Sequence, residues 1–338
     1  MTKVLLEEGA SLSAVDNDGR TPLHLSAKWG QRDVEKVLLE AGASLSAVDN
    51  DDMTPLHLSA QWGHTDVANV LLEAGASPSA VDNDHMTPLH LSANWGHMDV
   101  TNFLLAEGAS SSTVNNDGQT PLHLSARWGH RDVTKVLLET GVSLSVVDND
   151  GRTPLHWAAE EGKTDVTKVL VEAGASLSAV DKQGMTPLHL SAQRGNTYVT
   201  NVLVEAGASL SAVDNKRKTP HDVARDSVKK LLQKYAASRA DMGIDNIALQ
   251  RIPDDDALKE LSEQVGNCAM QLGVELGLSM AEIEQTLVKY SKDIFSQTFD
   301  VLKKWKYSEK IKPTIRILMR AIQASDPRGL VFLRDKYA

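Results

Sequence analysis

Residues 54–76 read TPLHLSAQWGHTDVANVLLEAGA, and versions of this text recur through the first two thirds of the 338-residue chain. Six copies of its first four letters follow one another at a spacing of 33 residues with no insertion. They begin at Thr21, Thr54, Thr87, Thr120, Thr153 and Thr186. An altered seventh copy, Thr-Pro-His-Asp, begins at Thr219. A fixed period of this length predicts a stacked-repeat architecture.

Each copy contains the signals of two short helices. Thr54 is suited to cap a first helix and Pro55 to follow at its first position, where no amide hydrogen is needed. Gly63 can end that helix in the left-handed conformation, and Asp66 favours the first turn of a second helix, which Gly75 ends. The second helix has an apolar face at helical spacing, formed by Val67, Val70, Leu71 and Leu72.

The residues that join one copy to the next predict a hairpin-like finger. Residues 81–84 (Val-Asp-Asn-Asp) have the composition of a tight turn. Glycine at the finger tip is replaced by Asp52, His85 and Arg217 in three copies, and we expect those fingers to be less regular. One copy cannot bury both apolar helix faces alone, so the copies must stack into a solenoid.

The period and the Thr-Pro-Leu-His…Gly-His…Leu-Leu…Gly-Ala text resemble ankyrin repeats from residue 1 to about residue 236. The resemblance implies an all-α solenoid of helix pairs with fingers. Serine replaces the asparagine that this family usually has near the finger. These serines are Ser13, Ser46, Ser79, Ser112, Ser145, Ser178 and Ser211.

The predicted repeat domain spans residues 1–237, with a partial first repeat, six full repeats and a shortened C-terminal cap. Residues 2–7 match the second helix of a repeat, and our hypothesis from the sequence is that the chain is a fragment or that its start is misassigned. The last repeat has lost four residues between its helices. It has also gained positive charge, at Lys216, Arg217, Lys218, Lys229, Lys230 and Lys234.

All 11 histidines fall in the repeat region. Three His-x-Asp pairs, such as His64 with Asp66, allow an interpretation as metal ligands or acid–base pairs. Each pair recurs because the repeat recurs, so we favour a structural role. No motif indicates a catalytic site, a metal site or a cofactor.

Four tryptophans occupy one repeat position, immediately before the glycine that ends the first helix: Trp29, Trp62, Trp95 and Trp128. The resemblance places this position on the concave face beside the fingers, and stacking would space the rings by about 10 Å. Packing and binding are both open interpretations of this pattern. The predicted protein-binding face also includes the finger residues Asp18, Asp51, Asp84 and Asp117.

The C-terminal region follows a predicted linker at residues 238–251. Six helical patterns lie between residues 254 and 336 and predict a compact bundle. The text Leu-Gly-Leu-Ser at 276–279 and Val-Leu-Lys-Lys-Trp at 301–305 resembles a death domain, which we assign to residues 252–338. That family implies binding to other death domains, or self-association, through asymmetric patches. Trp305 is expected to belong to its core.

Two charged patches are candidates for such contacts, although a solvated charged surface is the ordinary interpretation. The acidic patch consists of Asp254, Asp255, Asp256 and Glu260. The basic patch consists of Lys303, Lys304, Lys306 and Lys310.

Composition narrows the class of function. The net charge is −10, of which residues 1–240 hold 30 acidic and 21 basic residues, and this balance argues against nucleic acid as a partner. No apolar run is long enough for a membrane span, and the single cysteine, Cys268, excludes an internal disulfide. We therefore expect a cytoplasmic protein.

The preferred prediction is a signalling adaptor, whose ankyrin array binds one protein and whose death domain recruits another. One alternative is a cytoskeletal or membrane scaffold of the ankyrin type. Another is the regulatory part of a larger enzyme such as a death-associated kinase.

Overall fold

The computed structural model describes residues 2–241, with side chains through residue 237, and residues 301–304 and 306. Within this part of the chain every regular element is helical. The helices are α1 (Thr2–Glu7), α2 (Pro22–Lys28), α3 (Arg32–Glu40), α4 (Pro55–Trp62), α5 (Thr65–Glu73), α6 (Pro88–Trp95), α7 (Met98–Ala106), α8 (Pro121–Trp128), α9 (Arg131–Glu139), α10 (Pro154–Glu160), α11 (Thr164–Glu172), α12 (Pro187–Arg194), α13 (Thr197–Ala206), α14 (Pro220–Val223) and α15 (Asp226–Asp241).

The chain divides into two units, residues 1–231 and 232–338. In the first unit the helices form two layers. The even-numbered helices from α2 to α14 pack in sequence against one another, and the odd-numbered helices from α1 to α13 do the same. Buried leucines at equal repeat positions, such as Leu56 in α4 and Leu71 in α5, fill the space between the layers. The predicted solenoid of helix pairs is confirmed.

The Thr-Pro-Leu-His motif begins each first helix in the predicted way. In α4 the Thr54 hydroxyl accepts a hydrogen bond from the His57 backbone amide, and the His57 ring accepts one from the Thr54 amide. Two otherwise unsatisfied groups at the start of the helix are therefore paired. Gly63 then ends α4 with φ of 74°, as its sequence position predicts.

The fingers are joined to one another in register. The amide of Asn83 donates to the carbonyl of Asp51 at 3.1 Å, and its side-chain amide donates to the carbonyl of Asn50 at 3.3 Å. Similar backbone bonds recur one repeat further along, from Asn116 to Asp84. The row of fingers is thus continuous from one repeat to the next.

The expectation of less regular fingers at Asp52, His85 and Arg217 is wrong. Their φ angles are 58°, 59° and 59°, close to the 78° of Gly19 at the equivalent tip. Each amide still donates to the carbonyl three residues earlier, as His85 does to Asp82 at 2.9 Å. The hydrogen bonds between fingers hold the backbone of these residues in the left-handed conformation, which residues other than glycine rarely adopt.

The last repeat is short. Helix α14 has only four residues, whereas α12 has eight, and α15 begins three residues after α14 ends. At the other end, Val4 and Leu5 in α1 are 56% and 54% exposed. Among the described residues, no helix is long and apolar enough to cross a membrane.

Candidate functional site

The predicted tryptophans form an exposed aromatic row on the repeat domain. Trp62, Trp95 and Trp128 are the last residues of α4, α6 and α8, and Trp29 directly follows α2. Each ring is at least half exposed, with exposed fractions between 50% for Trp128 and 65% for Trp29. We call these four residues the tryptophan ladder. Large apolar side chains left in solvent at one repeat position are typical of an interaction surface.

The first three of the four turns that carry the ladder are fixed by histidines from the following repeat. Nε2 of His64 donates to the carbonyl of Lys28, directly before Trp29, at 3.0 Å. His97 and His130 make the equivalent bonds one and two repeats later. Each ring also packs against the preceding turn, because a Cβ added to Gly30 would lie 2.6 Å from Nδ1 of His64. The backbone turns that carry Trp29, Trp62 and Trp95 are therefore fixed by contacts within the repeat domain.

Cations of the chain itself contact both ends of the ladder. The ammonium of Lys28 lies 5.5 Å from the ring centre of Trp29 and 5.7 Å from that of Trp62, so it bridges the first two rings. At the other end, the guanidinium of Arg127 lies 5.6 Å from the Trp128 ring. These distances are in the range of cation–π attraction.

The finger carboxylates are the second part of the predicted binding surface. Asp18, Asp51, Asp84 and Asp117 are all exposed. Burial raises the pKa of the neighbouring Asp82, and the charges of Asp84 and Asp51 raise it further. The pKa of Asp16 is lowered mainly by a hydrogen bond from the Arg20 amide, with a smaller contribution from the charge of Lys28. Lys28 thus contacts the ladder and also acts on the first finger. We call the tryptophan ladder and the four exposed finger aspartates together the ladder face.

The tryptophan ladder does not continue into the fifth repeat, which begins at Thr153. Trp157 is only 8% exposed and its indole donates to Asp148 at 2.7 Å. The guanidinium of Arg127 lies 4.4 Å from its ring centre and that of Arg152 lies 4.9 Å away. Trp157 replaces a leucine of the repeat and is therefore a packed residue outside the ladder.

The buried carboxylate of Glu160 pairs with two arginines near Trp157. One oxygen of Glu160 accepts from Arg152 at 2.7 Å and the other accepts from Arg194 at 2.5 Å. Arg152 Nε is buried without a hydrogen bond and lies 3.9 Å from Asp181. Sequence reasoning missed this network, although the loss of the repeat pattern at Glu160, Glu161 and Arg194 was a signal for it.

The motif histidines have structural roles. In the full repeats, Nδ1 of each ring pairs with the capping threonine, and Nε2 donates to a carbonyl of the next finger, as His57 does to Met86 at 3.0 Å. Burial lowers the pKa of His57 and of His90 to about 4. Both ring nitrogens are engaged, so these rings offer no free metal ligand. The described residues contain no group of three or more potential ligands placed to hold a metal ion.

Most predicted contact residues of the C-terminal region lie outside the described residues: Asp254, Asp255, Asp256, Glu260 and Lys310, together with Trp305 and Cys268. Residues 301–304 are helical, with Val301 and Leu302 buried. Lys303, Lys304 and Lys306 are half-buried. The six predicted helices of this region are otherwise outside the described ranges.

The helix pairs, the linked fingers and the exposed face define a class of protein, the repeat solenoids that bind other proteins. A family model described as ankyrin repeats (3 copies) matches residues 1–82, 74–148, 107–181 and 140–214. The chain therefore belongs to the ankyrin-repeat family. A death-domain model matches residues 254–331, so the architecture is an ankyrin array followed by a death domain.

Solved structures agree with this assignment. The ankyrin repeat domain of human ASB11 is 29% identical with a TM-score of 0.57, over 64% of this chain and 98% of that one. The ankyrin repeat domain of Bcl-3, described as a unique member of the IkappaB protein family, gives the same identity and TM-score over 65% of this chain and 100% of that one. A comparison with curated proteins gives no match. Both modules are non-catalytic interaction domains.

Proposed function

We propose that the protein is a signalling adaptor that binds one protein through its ladder face and a death-domain partner, or a second copy of itself, through residues 252–338. The observation that carries this proposal is the row of four half-exposed tryptophans, of which the first three stand on turns fixed by His64, His97 and His130. A tryptophan side chain on a fixed turn has few bonds left to order on binding, and Trp is common at binding hot spots.

The test of the first interaction is affinity capture from the native cells with the tagged full-length chain. We expect the double substitution Trp62→Ala and Trp95→Ala to abolish capture of proteins that the wild type retains, with an unchanged circular dichroism spectrum. The matched control is Tyr198→Ala, because this aromatic ring is 81% exposed but lies at the start of α13. Undiminished capture by the folded double variant would exclude the ladder as the binding site.

The second interaction is tested by sedimentation of the full chain at low and high salt. If opposite charges of the C-terminal region drive head-to-tail association, salt weakens it. We expect Lys303→Glu with Lys304→Glu to reduce the associated fraction at low salt. A wild-type monomer at low salt would leave only a heterotypic death-domain partner, and capture of a death-domain protein would then be the remaining test.

A further inference from the structure

The tryptophan ladder contains two steps that the chain leaves open. The residue before each ladder tryptophan is in position to bridge that ring and the next one, as Lys28 bridges Trp29 and Trp62. At the following two steps this position holds the neutral, half-buried side chains of Gln61 and Asn94. The steps from Trp62 to Trp95 and from Trp95 to Trp128 therefore lack the cation that the first step has.

The charge of the surrounding sequence favours a cation from outside. Between Lys36 and Arg127 the chain has no lysine or arginine, but residues 37–126 contain 11 aspartates and glutamates. This acidic stretch includes both open steps and the exposed finger residues Asp51, Asp84 and Asp117. A basic partner segment is attracted to such a surface, whereas nucleic acid and acidic peptides are repelled.

We propose that the ladder face binds an extended basic segment of a protein partner, whose arginine or lysine side chains enter the two open steps. This inference rests on the proposed adaptor function and specifies its ligand. Lys28 is the internal template, since it shows that a cation fits against two consecutive rings. Stacked repeats place the steps about 10 Å apart. A peptide in the polyproline II conformation rises roughly 3.1 Å per residue with three residues per turn, so two cations three residues apart lie on one face and match this spacing.

Arg127 and the fifth repeat limit the length of the ligand. Arg127 already contacts Trp128 and Trp157, and the Glu160 network covers the position that follows. The binding segment is accordingly short, with two cations in the sequence Arg-x-x-Arg.

The test uses a fluorescent peptide of glycine and serine with two arginines three residues apart, and the full-length protein. We expect saturable binding that weakens about tenfold in the variant Gln61→Lys with Asn94→Lys, because its own lysines occupy both steps. A citrulline peptide of the same length keeps the shape without the charge and is expected to bind at least tenfold more weakly.

The matched control is Gln193→Lys with Asn102→Lys, which adds the same charge. Gln193 occupies the equivalent repeat position beyond the ladder, where Arg194 replaces the tryptophan, and Asn102 is exposed on α7. We expect this control to bind the arginine peptide within about twofold of wild type. Equal weakening in both variants, or equal binding by the citrulline peptide, would overturn the proposal.

The same variants in the capture experiment separate this inference from the proposed function. If Gln61→Lys with Asn94→Lys still captures the partner but Trp62→Ala with Trp95→Ala does not, the ladder binds protein without cations and only the inference fails. If the tryptophan variant also captures the partner, the ladder is not the binding site and both fail.

Discussion

The first four full repeats and the fifth have the same backbone but opposite chemistry where the first helix ends. In the first four repeats, tryptophan is left half exposed beside Lys28, Gln61, Asn94 or Arg127. In the fifth repeat the ladder position is Glu161, and the tryptophan, Trp157, is buried four residues earlier. Glu160 of this repeat pairs with two arginines. The end of the first helix therefore carries an exposed aromatic ring in four repeats and a buried ion-pair network in the fifth.

The largest difference is expected between two tryptophan substitutions. Trp157→Ala should reduce the free energy of unfolding by about 3–5 kcal/mol, because it leaves a cavity and removes the partner of Asp148. Trp95→Ala removes a ring that is already 54% exposed and should cost about 1 kcal/mol or less. Urea unfolding followed by far-ultraviolet circular dichroism measures both. Similar losses in the two variants would contradict the distinction between packed and recognition tryptophans.

The next effect concerns the buried carboxylate of the fifth repeat. Glu160→Gln should destabilise the fold by about 3 kcal/mol, because Arg152 keeps its charge in a half-buried position without its closest counterion. The matched control is Glu161→Gln, an exposed glutamate at the ladder position, which should change stability by less than about 0.5 kcal/mol. Equal unfolding midpoints for wild type and Glu160→Gln would show that the network contributes nothing to folding.

A buried charge also separates the first full repeat from those that follow. Glu35 is fully buried in α3 and accepts a hydrogen bond from Ser26, but its other oxygen has no partner. The equivalent threonines, among them Thr101 and Thr134, donate to the corresponding serines instead. Burial raises the pKa of Glu35 from 4.5 to about 7.

The raised pKa gives the first repeat a distinct dependence on pH. Between about pH 4.5 and pH 7 the folded state holds a proton that the unfolded state has released, so stability falls as pH rises through this range. Glu35→Thr should remove this dependence, a gain of roughly 3 kcal/mol over wild type at pH 8. Thermal unfolding of both proteins at pH 5 and pH 8 measures this difference in stability. The buried histidines affect both proteins equally, so their contribution drops out of the comparison. A stability difference between the two proteins that is the same at both pH values would exclude the ionisation of Glu35 as the cause.

The sequence predicted the repeat well because its main features are local. The Thr54 cap, the Gly63 turn and the apolar face of α5 each depend on residues within a few positions of one another. The period placed the four tryptophans at one repeat position, but it left open whether they pack or stay exposed. The Glu160 network was not predictable in this way, because Arg194 lies 34 residues from Glu160 and its contact depends on how two repeats stack.

At the finger tips the local preference of glycine for a left-handed backbone predicted too much. Replacing the tip glycine indicated an irregular turn at Asp52, His85 and Arg217, but their left-handed backbone is retained. The hydrogen bonds between neighbouring fingers, such as Asn83 to Asp51, outweigh the cost of one strained residue. Such bonds join residues about one repeat apart, so the spacing of motifs did not reveal them.

The smallest effect tests this cost directly. His85→Gly should stabilise the repeat domain by up to about 1 kcal/mol, because glycine adopts a φ of 59° without the clash that a Cβ produces. The reverse change, Gly118→His, should destabilise by more, since a Cβ at Gly118 would lie 2.8 Å from the side-chain oxygen of Asn149. The midpoints of urea unfolding compare the two. If His85→Gly lowers stability, the left-handed backbone at this tip is not strained. The difference between the tips at His85 and Gly118 would then come only from the contact between a Cβ at Gly118 and Asn149.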